Sequence, residues 1–554
     1  MITRRAGLLL PVFSLRRRGG LGIGDTCAMR EWIDLVADFG VSLIQTLPIN
    51  ETGSDDSPYN AISSVALEPI YLTCEDVPGI DSDLLGEKQR AHESAERVDY
   101  PAVRESKNHL LRDAWTRWPQ ADPARHDEFA GFRREEAAWL DDYLVFRWLM
   151  EREPMREAWD RWASDRRDPA GAHAALEAAR RADPAAVANQ LDYLAWIQWL
   201  CFRQWRAVRQ HAERSGVQLM GDIPIGISRH SADVFFRRDD FDLDWCGGAP
   251  PETVFKHDRF IQQWGQNWGV PIYRWEKMQR DGFPWWRQRI AKLLDVFHLF
   301  RIDHVLGFYR IYGFPWTPDR NAEFLDLTRE QAKKLTGGPL PRWVPRPDDT
   351  PENRAANRAD GDRRLRMIQD VAGHDAVIAE DLGHVPDYVR PHLQSLDICG
   401  FRIPHWDRDK AGKVIPGDRF PETSFATYAT HDHDPMTAMW EDLRRRAFQE
   451  NDDPDDQKEA RTLLQRLTDF AGIDHGGGYD DAIHWALIDA LMASRSRYAA
   501  IMVTDLLRMP DRINQPGTVG PHNWSLYLAQ TATDYRSHAA WPRFKQAICA
   551  GQRI

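Results

Sequence analysis

Residues 299–308 read LFRIDHVLGF, directly after the amphipathic AKLLDVFH. The apolar run asks for a buried strand, yet Arg301, Asp303 and His304 stand at its end. Ionisable groups are costly to bury unless they are paired or used. A strand that finishes this way belongs in a fold whose strands end at a shared site.

The same shape recurs along the chain. Short apolar stretches at LLLPVFSL (8–15), VSLIQTLPI (41–49), VQLMGDIPIGI (217–227), VFHLFRIDHV (296–305), AVIAEDLG (376–383), ICGFRIPH (398–405), FATYATHD (425–432) and AAIMVTDLL (499–507) alternate mostly with helical ones. In the first unit Asp25 stands at an N-cap position, while Met29, Trp32, Ile33, Val36 and Phe39 share one helical face and Gly40 closes the helix. Eight near-continuous apolar strands separated by helices predict an α/β fold, a (β/α)8 TIM barrel, because parallel strands are covered on both faces. An open doubly wound sheet is the structural rival. It needs a phosphate loop, and GGLGIGD (19–25) lacks the GxGxxG spacing.

The strands are unevenly spaced. The longest gap, residues 75–215, is charged, rich in Ala and Arg and helical in pattern, so a mainly helical subdomain is expected between strands 2 and 3 of a barrel spanning 1–554. GGPLPRWVPRPDDTPENRAANRADGD (337–362) and ENDDPDDQKEA (450–460) read as surface loops. The 23 tryptophans are the oddity of the composition. In LAWIQWLCFRQW (194–205) their helical spacing reads as core. In WGQNWGVPIYRWEKMQRDGFPWW (264–286) they sit among Gly, Asn and Pro, a loop composition whose exposed ring faces suit an apolar-faced ligand such as a sugar. Region 238–280 is therefore expected to be a Trp-rich loop that covers the substrate. Within it DFDLDWCGG (240–248) mimics a calcium loop, but Trp245 replaces the turn glycine and Pro251 the bidentate Glu, so it too reads as loop.

Composition removes several classes of function. A net charge of −12 opposes a nucleic-acid partner, which wants clustered Lys and Arg. Cys27, Cys74, Cys201, Cys246, Cys399 and Cys549 show no CxxC spacing, so neither a zinc site nor a disulfide framework is expected and a reducing cytoplasm fits best. The N-terminal apolar run breaks at Pro11, and no stretch approaches the ~18 apolar residues of a membrane span. Neither a cofactor nor a metal is expected. The HxH within HDHD (431–434) resembles that of a metal-dependent barrel hydrolase, but that site needs further His ligands which the sequence does not offer.

Catalytic groups of a TIM barrel lie where its strands end. Here those ends carry Asp222, then Arg301, Asp303 and His304, then Glu380 and Asp381, then His431 and Asp432. Carboxylates converging beside aromatic loops, without a Cys pair or three-histidine spacing, point to glycoside chemistry, where one carboxylate attacks the anomeric carbon and another serves as acid and then base. A sugar-binding protein without catalysis would not need the set.

The motifs DSPYNAISS, GDIPIGIS, GQNWGVPIYRW, RIDHVLGF, AEDLG, THDHD and INQPGT, in that order, resemble the 4-alpha-glucanotransferases called amylomaltases or disproportionating enzymes, glycoside hydrolase family 77. The resemblance implies Asp303 as nucleophile, Glu380 as general acid and base, and Asp432 as the carboxylate that stabilises the transition state. It further implies that His304, His431 and Asp222 grip hydroxyls of the transferred sugar and that Tyr59 stacks beneath it. Arg301 is expected to support the charge of Asp303, and Glu380 needs a raised pKa. Phe255 and Trp268 would cover the site and stack on an acceptor while Gln266 bonds its hydroxyls. The implied partners are α-1,4-glucans (maltooligosaccharides, amylose, glycogen-type chains) with glucose or maltose as acceptors, handled by a monomer or homodimer. An amylase-type hydrolase is the alternative. The chain departs from the family pattern at Asn60, Glu252, Val270, His433, Leu526 and Tyr527, none of them a catalytic carboxylate.

Overall fold

The computed structural model describes residues 3–252, 258–448, 453–474 and 477–553. Among them the strands are β1 (Arg5–Leu9), β2 (Leu43–Gln45), β3 (Gln218–Pro224), β4 (Phe241–Ala249), β5 (Gln266–Tyr273), β6 (Leu299–Asp303), β7 (Ile311–Phe314), β8 (Arg342–Val344), β9 (Val377–Ala379), β10 (Cys399–Arg402), β11 (Ser424–Ala426) and β12 (Tyr498–Met502). A parallel barrel closes in the order β1, β12, β11, β10, β9, β6, β3, β2. Each of the apolar stretches supplies one barrel strand, and the fold is the expected TIM barrel.

Strands such as β9 (VIA) and β12 (YAAIM) are buried at every position, as parallel strands between a filled interior and an outer helical layer must be. The first outer helix, Thr26–Asp38, starts at Asp25, whose carboxylate accepts the Cys27 and Ala28 N–H groups, and ends before Gly40 at φ +81, a left-handed turn that glycine takes without strain. The segment between β2 and β3 is helical: Ser82–His92, Tyr100–Arg117, Pro123–Glu135, Ala137–Met150, Pro169–Ala182 and Pro184–Arg214. The last of these runs 31 residues into β3 and buries Trp196, Trp199 and Trp205, as their spacing predicts. No described helix is long and apolar enough to cross a membrane.

Register already assembles part of the site. Asp222 of β3 lies beside Arg301 of β6, and Pro224 beside Asp303. Since side chains alternate along a strand, Arg301 meets one carboxylate on the neighbouring strand and another two residues along its own face.

Three loop readings are corrected. Much of region 238–280 is strand: β4 and β5 pair antiparallel and join β7 and β8 in a four-stranded sheet, so DFDLDWCGG lies mostly in a strand. Glycine hides the alternation. The register shifts between Gly247 and Gly248, and a Cβ on Gly248 would stand 1.9 Å from the Gln266 carbonyl oxygen, a backbone approach that only glycine permits. Segment 337–362 contains β8 and the start of helix Pro351–Ala372; of segment 450–460, residues 450–452 lie outside the described residues and the remainder caps and begins helix Pro454–Ala471. In both helices a proline at the first position follows a capping Thr350 or Asp453, so residues that resemble a loop are a helix start.

Candidate active site

Arg301 organises the centre. It is 3% exposed and forks between Asp222 Oδ2 and Asp303 Oδ1, the latter at 2.6 Å. Tyr59 donates its hydroxyl to the same Asp222 Oδ2 at 2.6 Å. Burial pushes the Asp222 carboxyl up to about 7 despite the adjacent guanidinium. Asp303, one strand position beyond Ile302, is only partly buried and borders a cleft of about 890 Å³.

Glu380 follows β9 on the barrel's next strand. Its Oε2 accepts the His304 N–H and its Oε1 the Leu382 N–H, each at 2.8 Å. His304 reaches this position with φ +52, a left-handed backbone that is uncommon for a residue with a side chain. Burial raises the Glu380 carboxyl to about 7, against the pull of Arg301 and the two N–H groups. Burial also drives the His304 imidazole down to about 4, so the ring is neutral around pH 7.

Asp432 follows β11. Burial acts to raise its carboxyl, but His431 at 3.4 Å and the Asn514 side chain, donating to Oδ1 at 2.6 Å, leave it below the usual range. Arg512 grips the Asp432 carbonyl at 2.5 Å. His431 is buried, and burial lowers its pKa. Its ring stacks on Tyr59, with centroids 5.2 Å apart and planes at 18°, while Trp524 closes on both rings at 5.8 Å.

Tyr59, Gln266, Trp268, Asp303, His304, Glu380, His431 and Asp432 all line the one cleft. Asp222 and Arg301 do not; they lie beneath it. Phe255 falls outside the described residues. Trp268, 37% exposed, stands edge-on to His304 at 4.9 Å and donates to Gln266 Oε1 at 3.3 Å. A second hollow of about 190 Å³ adjoins Glu380 and shares Gln266, Trp268 and His304 with the first. Sequence reasoning missed Asn514 and Trp524, which a chain segment far beyond β11 brings to the cleft; the INQPGT motif was the available signal for Asn514. Among the described residues no cluster of His, Cys, Asp or Glu is arranged to hold a metal ion. Chemically, one carboxylate paired with arginine and another able to hold a proton near neutrality form the division of labour that displacement at an acetal carbon requires.

A family model described as 4-alpha-glucanotransferase matches residues 10–531. A 4-alpha-glucanotransferase of Chlamydia caviae is 29% identical over 98% of this chain and 93% of its own. One from Thermus thermophilus is 29% identical over 95% of each. Among solved structures, an amylomaltase from Streptococcus agalactiae in complex with acarbose superposes with a TM-score of 0.76 at 23% identity, covering 99% of both chains.

Proposed function

The chain belongs to the 4-alpha-glucanotransferases of glycoside hydrolase family 77 and is an enzyme of that activity, and from that premise we propose how its residues divide the work. A segment of an α-1,4-glucan is moved to the 4-hydroxyl of an acceptor glucose or glucan through two displacements. In the first, an Asp303 carboxylate oxygen attacks the anomeric carbon while Glu380 gives its proton to the departing O4. The glycosidic bond breaks, a glycosyl ester forms, and the leaving chain departs as an alcohol. In the second, Glu380 takes the proton of the acceptor 4-hydroxyl, whose oxygen displaces Asp303 with net retention.

Arg301 keeps one oxygen of Asp303 fixed at 2.6 Å, which leaves the other free to attack. Asp432, held by Asn514, faces the positive charge that develops on the sugar. The ring of Tyr59 carries the apolar face of that sugar, its own orientation fixed by Asp222 and His431. Gln266 and Trp268 contact the acceptor. The observation that carries this reading is the meeting of Asp303, Glu380 and Asp432 on one cleft within the region matched by the family model.

Transfer and hydrolysis share the covalent intermediate and differ in what attacks it. Water is present at about 55 M, so an acceptor wins only when binding gives it a high effective molarity. Maltotriose should therefore yield glucose with a ladder of longer maltooligosaccharides while total reducing ends stay nearly constant. Glucose and maltose alone, with reducing ends rising in step, would mark a hydrolase.

A further inference from the structure

Building on the transferase reading, we propose that Trp406 is a second exposed sugar platform, taking the apolar face of an α-1,4-glucan ring remote from the bond being exchanged. Of the chain's 23 tryptophans, Trp268 and Trp406 are the two most exposed among the described residues, at 37% and 38%. Burial is the ordinary fate of so large an apolar side chain, and each of these two packs on a histidine that follows a carboxylate of the cleft. Trp268 meets His304 edge-on at 4.9 Å and 82°, and His304 directly follows Asp303. Trp406 meets His433 at 5.0 Å and 65°, and His433 directly follows Asp432.

Trp406 lies in the turn after β10, which the barrel order sets between β9, leading to Glu380, and β11, leading to Asp432. This turn is built to hold an indole outward. The N–H groups of Trp406 and Asp407 both bond the Ile403 carbonyl, at 3.0 and 2.9 Å. His405 before it is buried, and Asp407 after it is buried and paired with Arg390 at 2.9 Å, which in turn bonds Asp381 at 3.0 Å. The Trp406 indole N–H meets no acceptor among the described residues, and the side chain, packed on His433 and on His405 at 5.3 Å, stays 38% exposed. An indole so placed suits a pyranose, which offers C–H groups on its faces and hydroxyls at its edge. Trp406 does not border the main cleft, so the ring it receives lies beyond the units at Asp303 and Glu380.

The test compares amylose with maltotriose. In Trp406→Ala the ratio of kcat/KM for amylose to that for maltotriose should fall about tenfold, a loss of the size stacking supplies, carried by KM for amylose. Trp406→Phe should recover most of it. Trp406→Leu, which keeps apolar bulk without a ring face, should show the same fall as alanine and replaces it if that variant fails to fold. A ratio unchanged in both ringless variants overturns the proposal, as does a fall that arises in kcat and is not recovered by phenylalanine. The transferase reading is judged separately, by the wild-type product ladder from maltotriose.

Discussion

Replacing Arg301 with lysine tests whether the buried fork beneath the cleft supports Asp303, the proposed nucleophile. The substitution keeps the charge but not the planar geometry that reaches Asp222 and Asp303 together. One charge-assisted hydrogen bond is lost, worth about 1.5–3 kcal/mol, while the other survives. At ~1.4 kcal/mol per decade this predicts a fall in kcat/KM of about 10- to 150-fold. The partner change is Asp222→Asn. Asp222 is 1% exposed and lies outside the cleft lining, so its influence must pass through Arg301 and Tyr59. In the Arg301→Lys background it should therefore cost less than in the wild type, with a coupling of at least ~1 kcal/mol. Initial rates of glucose release from maltotriose by the four enzymes measure the cycle. Two effects that add within ~0.5 kcal/mol would refute the argument, since Asp222 would then act independently of Arg301.

Asp303→Asn, Glu380→Gln and Asp432→Asn should each lower turnover by at least about 100-fold with the melting transition retained, and a near-native rate in any of them removes its assigned role. With Glu380 held up to about 7 by burial, the acid is lost as pH rises, so kcat/KM should decline through that value; a profile flat to about pH 9 contradicts it. Asn514→Leu leaves Asp432 without its 2.6 Å donor and should cost about tenfold or more in kcat, whereas unchanged kinetics would show the bond to be incidental. Tyr59→Ala should damage catalysis with little change in melting temperature; a large melting shift with intact kinetics would mark the ring as core.

The barrel was legible because its strands are buried on both faces, and a short apolar run such as AAIM between helical stretches fits a strand covered on both sides. The three carboxylates were legible for the opposite reason: charge at the end of an apolar run demands an explanation. What sequence concealed was relational. That Asp222 supports Arg301 and Tyr59 from beneath the cleft follows from the register of β3 against β6, which no local pattern encodes. The antiparallel sheet was concealed because Gly248, needed for close backbone approach, and Gly247, set against the Ile311 and Val270 side chains, carry the same letters as a loop. The helices after Thr350 and Asp453 were hidden by their own start signals, since Pro, Asp and Asn serve both a turn and a first helical turn.

The barrel closes by pairing β1 with β12, Arg5 beside Tyr498, and the cleft joins Tyr59 to Asn514 and Trp524 from beyond that seam. Loop-closure entropy makes such distant pairings slow to form relative to local helices. During refolding, helical content should thus return well before enzymatic turnover, because a partly assembled barrel has Asp303 and Glu380 on adjoining strands but lacks the wall that orients Asp432. The same geometry bears on synthesis: Asp303 and Glu380, the proposed nucleophile and acid, precede β12 by more than a hundred residues, so turnover is expected only once β12 has docked against β1.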